Sequence, residues 1–293
     1  AIKLSTVMLM TANNGYWLLM QNWICRAQQL GLKFLVFPQD TQLLRLLQEK
    51  YNGSVAVYWD LADVTNITGY WRYRSFPFND ITFRKVKLLR MTLELGFHAV
   101  VLDADVFLIA DPWVNSFANL SRGCDYVFQQ NGELAALYSH LQGAPDREPN
   151  TGYHFLKSNN MTIQFVKDVE AQNKRRREYD DQGNWWDVLK MWNKQKKTHF
   201  QAVGSQMNAS ASAGHFTLCP LSPLRHLVGY FLYNNGDMGL NIAGGRVATS
   251  KWHQVSRQAP PAQRDVVMVH ANFHWCWEHK LASMRQCCWV LDA

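Results

Sequence analysis

Residues 99–112, AVVLDADVFLIADP, place two carboxylates one residue apart inside an apolar run long enough to fill a core by itself. Aspartate is rarely buried unless something offsets its charge, so Asp103 and Asp105 require a partner. The four apolar residues just before them have the unbroken hydrophobicity of a strand covered on both faces, as in a parallel sheet. The acids then fall at the carboxyl end of that strand, and open α/β sheets bind ligands in the crevice beyond their strand ends. Three readings suit the pair. A hard divalent cation can bridge both carboxylates, Asp103 can act as a phosphoryl-accepting nucleophile, or both acids can be solvated in a turn.

The remainder of the chain alternates strand and helix signals. STVMLM (5–10) reads as a buried strand, followed by the turn-like TANNG and a helix-periodic segment over 16–30. KFLVFP (33–38) and VAVYW (55–59) read as second and third strands around a helix over 40–50 that carries Leu43, Leu44, Leu46 and Leu47. A helix is expected over 83–95 with Gly96 as its stop, and HAVVLDADVFLI (98–109) as the central strand. CDYVFQQ and TGYHFLKS read as further strands, and 162–177 and 182–192 as helices. Scattered Gly, Ser, Asn and Pro predict long loops over 194–261, of the kind that rims a substrate site, before one last strand over 265–275 that includes His270. The pattern predicts one α/β domain with a mainly parallel central sheet flanked by helices.

Composition narrows the function classes. The 30 Lys and Arg against 23 Asp and Glu give a net charge of +7, part of it in the run Lys174-Arg175-Arg176-Arg177. That run reads as a solvated face or as a contact for an acidic partner or anionic glycan. No zinc-finger spacing and no basic and aromatic interleaving is present, so no nucleic-acid partner is expected. Six cysteines without a CxxC pair argue against structural zinc and permit disulfides. Five sequons, at Asn52, Asn66, Asn119, Asn160 and Asn208, point to the Golgi or secretory lumen. No stretch has the length of a membrane span, and the abrupt start on a strand predicts a membrane anchor, if any, upstream of this chain.

A phosphatase that uses Asp103 would need a downstream Gly-Asp-x-x-x-Asp motif. Gly236-Asp237 is followed at the right distance by Asn241, so the second acid is missing. A non-catalytic sugar-binding module is the other alternative. LDADVFLIADP instead resembles the DxD motif of retaining GT-A nucleotide-diphospho-sugar transferases, particularly glycosyltransferase family 77 and the related family 8. The resemblance spans about residues 5–280 through ordered motifs: the DxD run, Lys87 in FRKVKLLRMTLELG, NTGYHFLKS, DDQGNWW and VHANFHWCWEHK.

This resemblance implies a single GT-A domain, with a nucleotide-binding half over about 1–110. An acceptor-binding half with the metal-binding His segment would cover about 111–293. It implies a retaining, metal-dependent transfer from a UDP-sugar or similar donor to a glycan or glycoprotein. Asp103, Asp105 and His270 would hold Mn2+ or Mg2+, with Ala104 between the acids. Lys87 and Lys280 would reach the diphosphate, Thr11, Ala12 and Asn13 the uridine and ribose, and Asn150, Thr151 and Gly152 the donor sugar. Asp181 and Gln182 would face the reaction centre, with Asp181 orienting the acceptor or stabilising the positive sugar centre. His274 and His279 compete with His270 for the metal. Trp185, Trp186, Trp192, Trp252, Trp275 and Trp277 are each read as core filling or as a face for sugar stacking.

Overall fold

The computed structural model describes residues 5–59, 67–130, 148–201, 214–221, 226–228, 230–234, 237–242, 245–247, 267–270 and 281. Strand β1 (Thr6–Ala12) turns its side chains alternately to two cores. Met8, Met10 and Ala12 pack with helices α1 (Trp17–Gln29) and α2 (Thr41–Tyr51). Leu9 packs on the opposite face with α3 (Phe76–Glu94), α4 (Asn160–Arg175) and α5 (Asp181–Lys194). The same alternation splits β4 (His98–Leu102), with Val100 and Leu102 in the first core and Ala99 and Val101 in the second. A strand buried on both faces must be apolar at consecutive positions, which is why residues 99–102 carry no polar side chain.

The main sheet has eight strands in the order β3-β2-β1-β4-β7-β6-β9-β8. Its remaining members are β2 (Leu35–Pro38), β3 (Ala56–Val57), β6 (Tyr126–Gln130), β7 (Pro149–Leu156), β8 (Thr198–Phe200) and β9 (Phe216–Pro220). Only β7 runs against the others, antiparallel to both β4 and β6. The mainly parallel sheet flanked by helices is the α/β architecture expected of a GT-A fold.

Two expectations need correction. The run 98–109 is not one central strand. After β4 the chain turns at the DxD motif, where the Asp103 amide donates to the Gly152 carbonyl at 2.9 Å and the Val106 amide to the Asp103 carbonyl at 3.1 Å. β5 (Val106–Leu108) then leaves the main sheet and pairs antiparallel with β14 (Met268–His270), which also pairs in parallel with β10 (His226–Val228). Residues 194–261 are not simply loops either. Besides β8, β9 and β10 they contain the antiparallel meander β11 (Tyr230–Asn234), β12 (Asp237–Ile242) and β13 (Gly245–Val247).

Helix α3 begins seven residues before its expected start, because Ser75 accepts a hydrogen bond from the Phe78 amide and Pro77 sits in the first turn. Trp185 and Trp192 are fully buried core residues and Trp186 packs against that core. Trp252, Trp275 and Trp277 lie outside the described residues, as do Lys280, His274 and His279.

Candidate active site

The parallel strands end on one edge of the sheet, and β7, running the other way, begins there. Thr11 and Ala12 end β1, Asp103 follows β4, Asn150 and Thr151 open β7, and His270 ends β14. These residues line one cleft together with Ala104, Asp105, Asp181 and Gln182. One oxygen each from Asp103 and Asp105 and one His270 ring nitrogen lie within 4.8 Å of one another. His270 and Asp105 are buried, and Nε2 of the imidazole is 3.4 Å from Asp105 Oδ1.

The imidazole is oriented from behind. His270 Nδ1 is 3.1 Å from Gln129 Oε1. The Gln129 amide is itself oriented, since its Nε2 donates to the His226 carbonyl at 3.2 Å and toward Met268 Sδ at 3.4 Å. Oε1 only accepts, so Nδ1 carries a proton, and Nε2 is the nitrogen turned toward the carboxylates. Two carboxylate oxygens and an imidazole nitrogen are a donor set that fits a divalent cation. Gly152 permits the approach: a Cβ there would stand 2.6 Å from Asp103 Oδ2 and would collide with His270 Cε1.

The cation that faces Asp103 is Lys85, which the sequence reading passed over. Its Nζ lies 3.0 Å from Asp103 Oδ1, 3.0 Å from Asp181 Oδ2 and 3.2 Å from the Thr151 carbonyl. Burial alone would lower the lysine pKa, but the carboxylates of Asp103 and Asp181 outweigh it and keep the ammonium charged above its ordinary range. Lys87 does not reach the cleft and lines a separate hollow with Arg84 and Lys174. Two residues along a helix turn a side chain through about 200°, which puts it on the far face. A signal for Lys85 was present. It continues the buried stripe Ile81, Leu88, Leu89 and Thr92 of α3, and a lysine in such a stripe needs an acid opposite.

Asn13 is buried, but it sits behind the cleft and its Nδ2 donates to the Ile67 and Gly69 carbonyls at 2.7 and 2.8 Å. That anchors the segment leading to Tyr70 and Tyr73, which both line the cleft. Gly15 lets this segment approach, since a Cβ there would lie 2.6 Å from the Gly69 carbonyl oxygen. Asn150 Oδ1 accepts from the Gly152 amide at 2.7 Å, and its Nδ2 is buried without a partner. Gln182 Oε1 is 3.4 Å from the Thr151 amide. Asp181 opens α5, whose N-cap Asp180 accepts from the Gly183 amide at 2.9 Å. Nothing in the local sequence marks Gln129, Tyr70 or Tyr73, because each acts through residues far along the chain.

The family model for nucleotide-diphospho-sugar transferases matches residues 31–284. No curated protein matches the chain in sequence. Among solved structures, mouse xyloside xylosyltransferase 1 is similar over 92% of this chain and 99% of its own, with 9% identity and a TM-score of 0.47. A Bacillus anthracis protein described as a glucose-1-phosphate thymidylyltransferase is similar over 87% and 96%, with 10% identity and a TM-score of 0.38.

Proposed function

The chain belongs to the nucleotide-diphospho-sugar transferase family, and from that premise we propose that it is a retaining, divalent-metal-dependent glycosyltransferase. The proposed donor is a UDP-sugar and the acceptor a glycan or glycoprotein. The observation that carries the metal dependence is the convergence of Asp103, Asp105 and His270, with the imidazole proton held on the side of Gln129. When bound there, a divalent cation such as Mn2+ or Mg2+ supplies Lewis acidity that offsets the charge of the departing diphosphate.

The chain's own groups do the rest. Lys85 holds Asp103 and Asp181 at fixed separation and balances their charge within the cleft. Thr11 and Ala12 offer the β1 end to the uridine, and Asn13 acts on the same region by anchoring residues 67–69. The unpartnered Nδ2 of Asn150 is a donor for a sugar hydroxyl, and Gln182 faces the same space. In the proposed front-face transfer, the acceptor oxygen bonds to the anomeric carbon as the bond to the diphosphate oxygen breaks. That departing oxygen takes the acceptor proton, and Asp181 stabilises the positive charge on the sugar. Lys280 is proposed as a second cation toward the diphosphate.

A secretory-lumen location is proposed as well, with any membrane attachment through an upstream anchor. Asn52, Asn119 and Asn160 of the sequons are exposed, and Cys124 and Cys219 form a disulfide, which suits an oxidising compartment. No helix among the described residues is long and apolar enough to cross a membrane.

The test is calorimetric titration of the protein with UDP and with UDP-glucose, UDP-galactose and UDP-xylose, each with and without Mn2+. Binding is expected only with the metal and is expected to be lost in Asp105→Ala. Failure of every nucleotide to bind with Mn2+ present, or unchanged binding by Asp105→Ala, overturns the reading.

A further inference from the structure

Besides Asn150, a second buried amide in the wall of the cleft has an unmatched atom. Gln39 directly follows β2, lines the cleft and is 1% exposed. Its backbone amide donates to the Ala12 carbonyl at 2.9 Å, which prolongs the pairing of β2 with β1. Its side-chain Nε2 donates to Thr11 Oγ1 at 2.5 Å, whereas Oε1 is buried and accepts no hydrogen bond. Buried acceptors are ordinarily matched, and a ligand that brings an N–H to this one relieves the penalty of leaving it bare.

Strand order says which part of a ligand would meet that atom. Along the edge that forms the cleft the strands run β2, β1, β4, β7, and the residues at their ends are Gln39, Thr11, Asp103 and Asn150 in the same order. A nucleotide sugar is also a row of four parts: base, ribose, diphosphate and sugar. With the diphosphate at Asp103 and the sugar at Asn150, the ribose falls at the end of β1 and the base at Gln39. Neighbouring strands lie about 4.8 Å apart, so Gln39 stands about 10 Å from the strand that delivers Asp103, which leaves room for a ribose between.

The same end of the cleft offers an aromatic face. The Asn14 amide donates to Asp40 Oδ2 at 2.5 Å and ties the turn after β1 to the loop after β2. Tyr16, two residues further on, lines the cleft with Tyr70, their ring centroids 5.3 Å apart. Such rings suit the flat face of a base.

Bases differ in what they bring to a lone acceptor. Uracil presents N3–H between two carbonyl oxygens, whereas cytosine presents a bare N3 lone pair at the same place. We infer that Gln39 reads the base of the donor, with Oε1 accepting the N3–H of uracil, so that the cleft selects uridine over cytidine nucleotides. The inference rests on the transferase reading of the cleft.

The test is calorimetric titration of the protein, with Mn2+ present, with UDP, with CDP and with 3-methyl-UDP, in which the N–H is replaced. UDP is expected to bind at least about tenfold more tightly than either of the others. Gln39→Leu is expected to weaken UDP by about tenfold and to bring UDP and CDP within about threefold of each other, with the far-ultraviolet circular dichroism unchanged. Equal binding of UDP, CDP and 3-methyl-UDP by the unmodified protein, or an undiminished preference for UDP in a folded Gln39→Leu variant, overturns the inference. Should that variant fail to fold, the comparison of the three nucleotides on the unmodified protein decides. If no nucleotide binds with Mn2+ present, the transferase reading falls and the role of Gln39 with it. If UDP binds no better than CDP and 3-methyl-UDP, only the role of Gln39 falls.

Discussion

Lys85 and Lys87 are two residues apart, yet they line different hollows on opposite faces of α3. Lys85→Met would leave the buried Asp181 and the neighbouring Asp103 without their shared cation, at a cost of about 3–5 kcal/mol. Lys87→Met leaves Asp103 and Asp181 with their shared cation and should cost clearly less than Lys85→Met. Urea denaturation of the two variants checks the contrast. Gln129→Leu is close to neutral in volume and removes the acceptor that holds the His270 proton on Nδ1. A weakening of Mn2+ affinity by about 10–100-fold is expected, with the far-ultraviolet circular dichroism unchanged. Asp103 and Asp105 stood out in the sequence because two acids after an apolar run differ from their neighbours, whereas His270 was singled out only through the family resemblance. Gln129 was not, since a glutamine in YVFQQ carries no mark of the histidine that it meets across 141 residues.

Among the elements, β7 does most to bring the cleft together, entering antiparallel between β4 and β6 so that its first residues meet the ends of its neighbours. Its Gly152 lies where β7 passes the DxD turn, and its amide and carbonyl are bonded to Asn150 Oδ1 and the Asp103 amide. Gly152→Ala is accommodated only by displacing the side chains of Asp103 and His270, because the added methyl meets both. Mn2+ titration should show at least about a tenfold loss of affinity, with a penalty of about 1–3 kcal/mol in urea melts. Strand and helix order through residue 194 was readable because apolar spacing there is regular. The split of 98–109 was not, because β5 continues the apolar pattern of β4 and differs from it only in its partner. Strands β8 and β9 were read as loop for a related reason. β9 is held in place by β6, some ninety residues upstream, and a short sequence window holds no trace of that pairing.

At the level of the whole molecule, His154 ties stability to pH. It is buried in the centre of the sheet, its Nε2 has no partner, and burial reinforced by the nearby Lys85 charge holds its pKa well below the ordinary value. The folded chain keeps this imidazole neutral, while the unfolded chain protonates it near pH 6.5. Its contribution is therefore complete above about pH 6.5 and declines as pH falls below that, by up to about 1.4 kcal/mol per unit until the folded value is reached. Urea midpoints measured from pH 7.5 to 5 should fall toward acid, and His154→Phe should flatten that slope. The proposed cation site, finally, has a temporal side that follows from the pairing of β5 with β14. Asp103 and Asp105 leave the ribosome well before the imidazole that joins them, which belongs to residue 270. A growing chain therefore carries the carboxylates before their imidazole, and tight cation capture marks a polypeptide in which β14 has been made and has paired with β5.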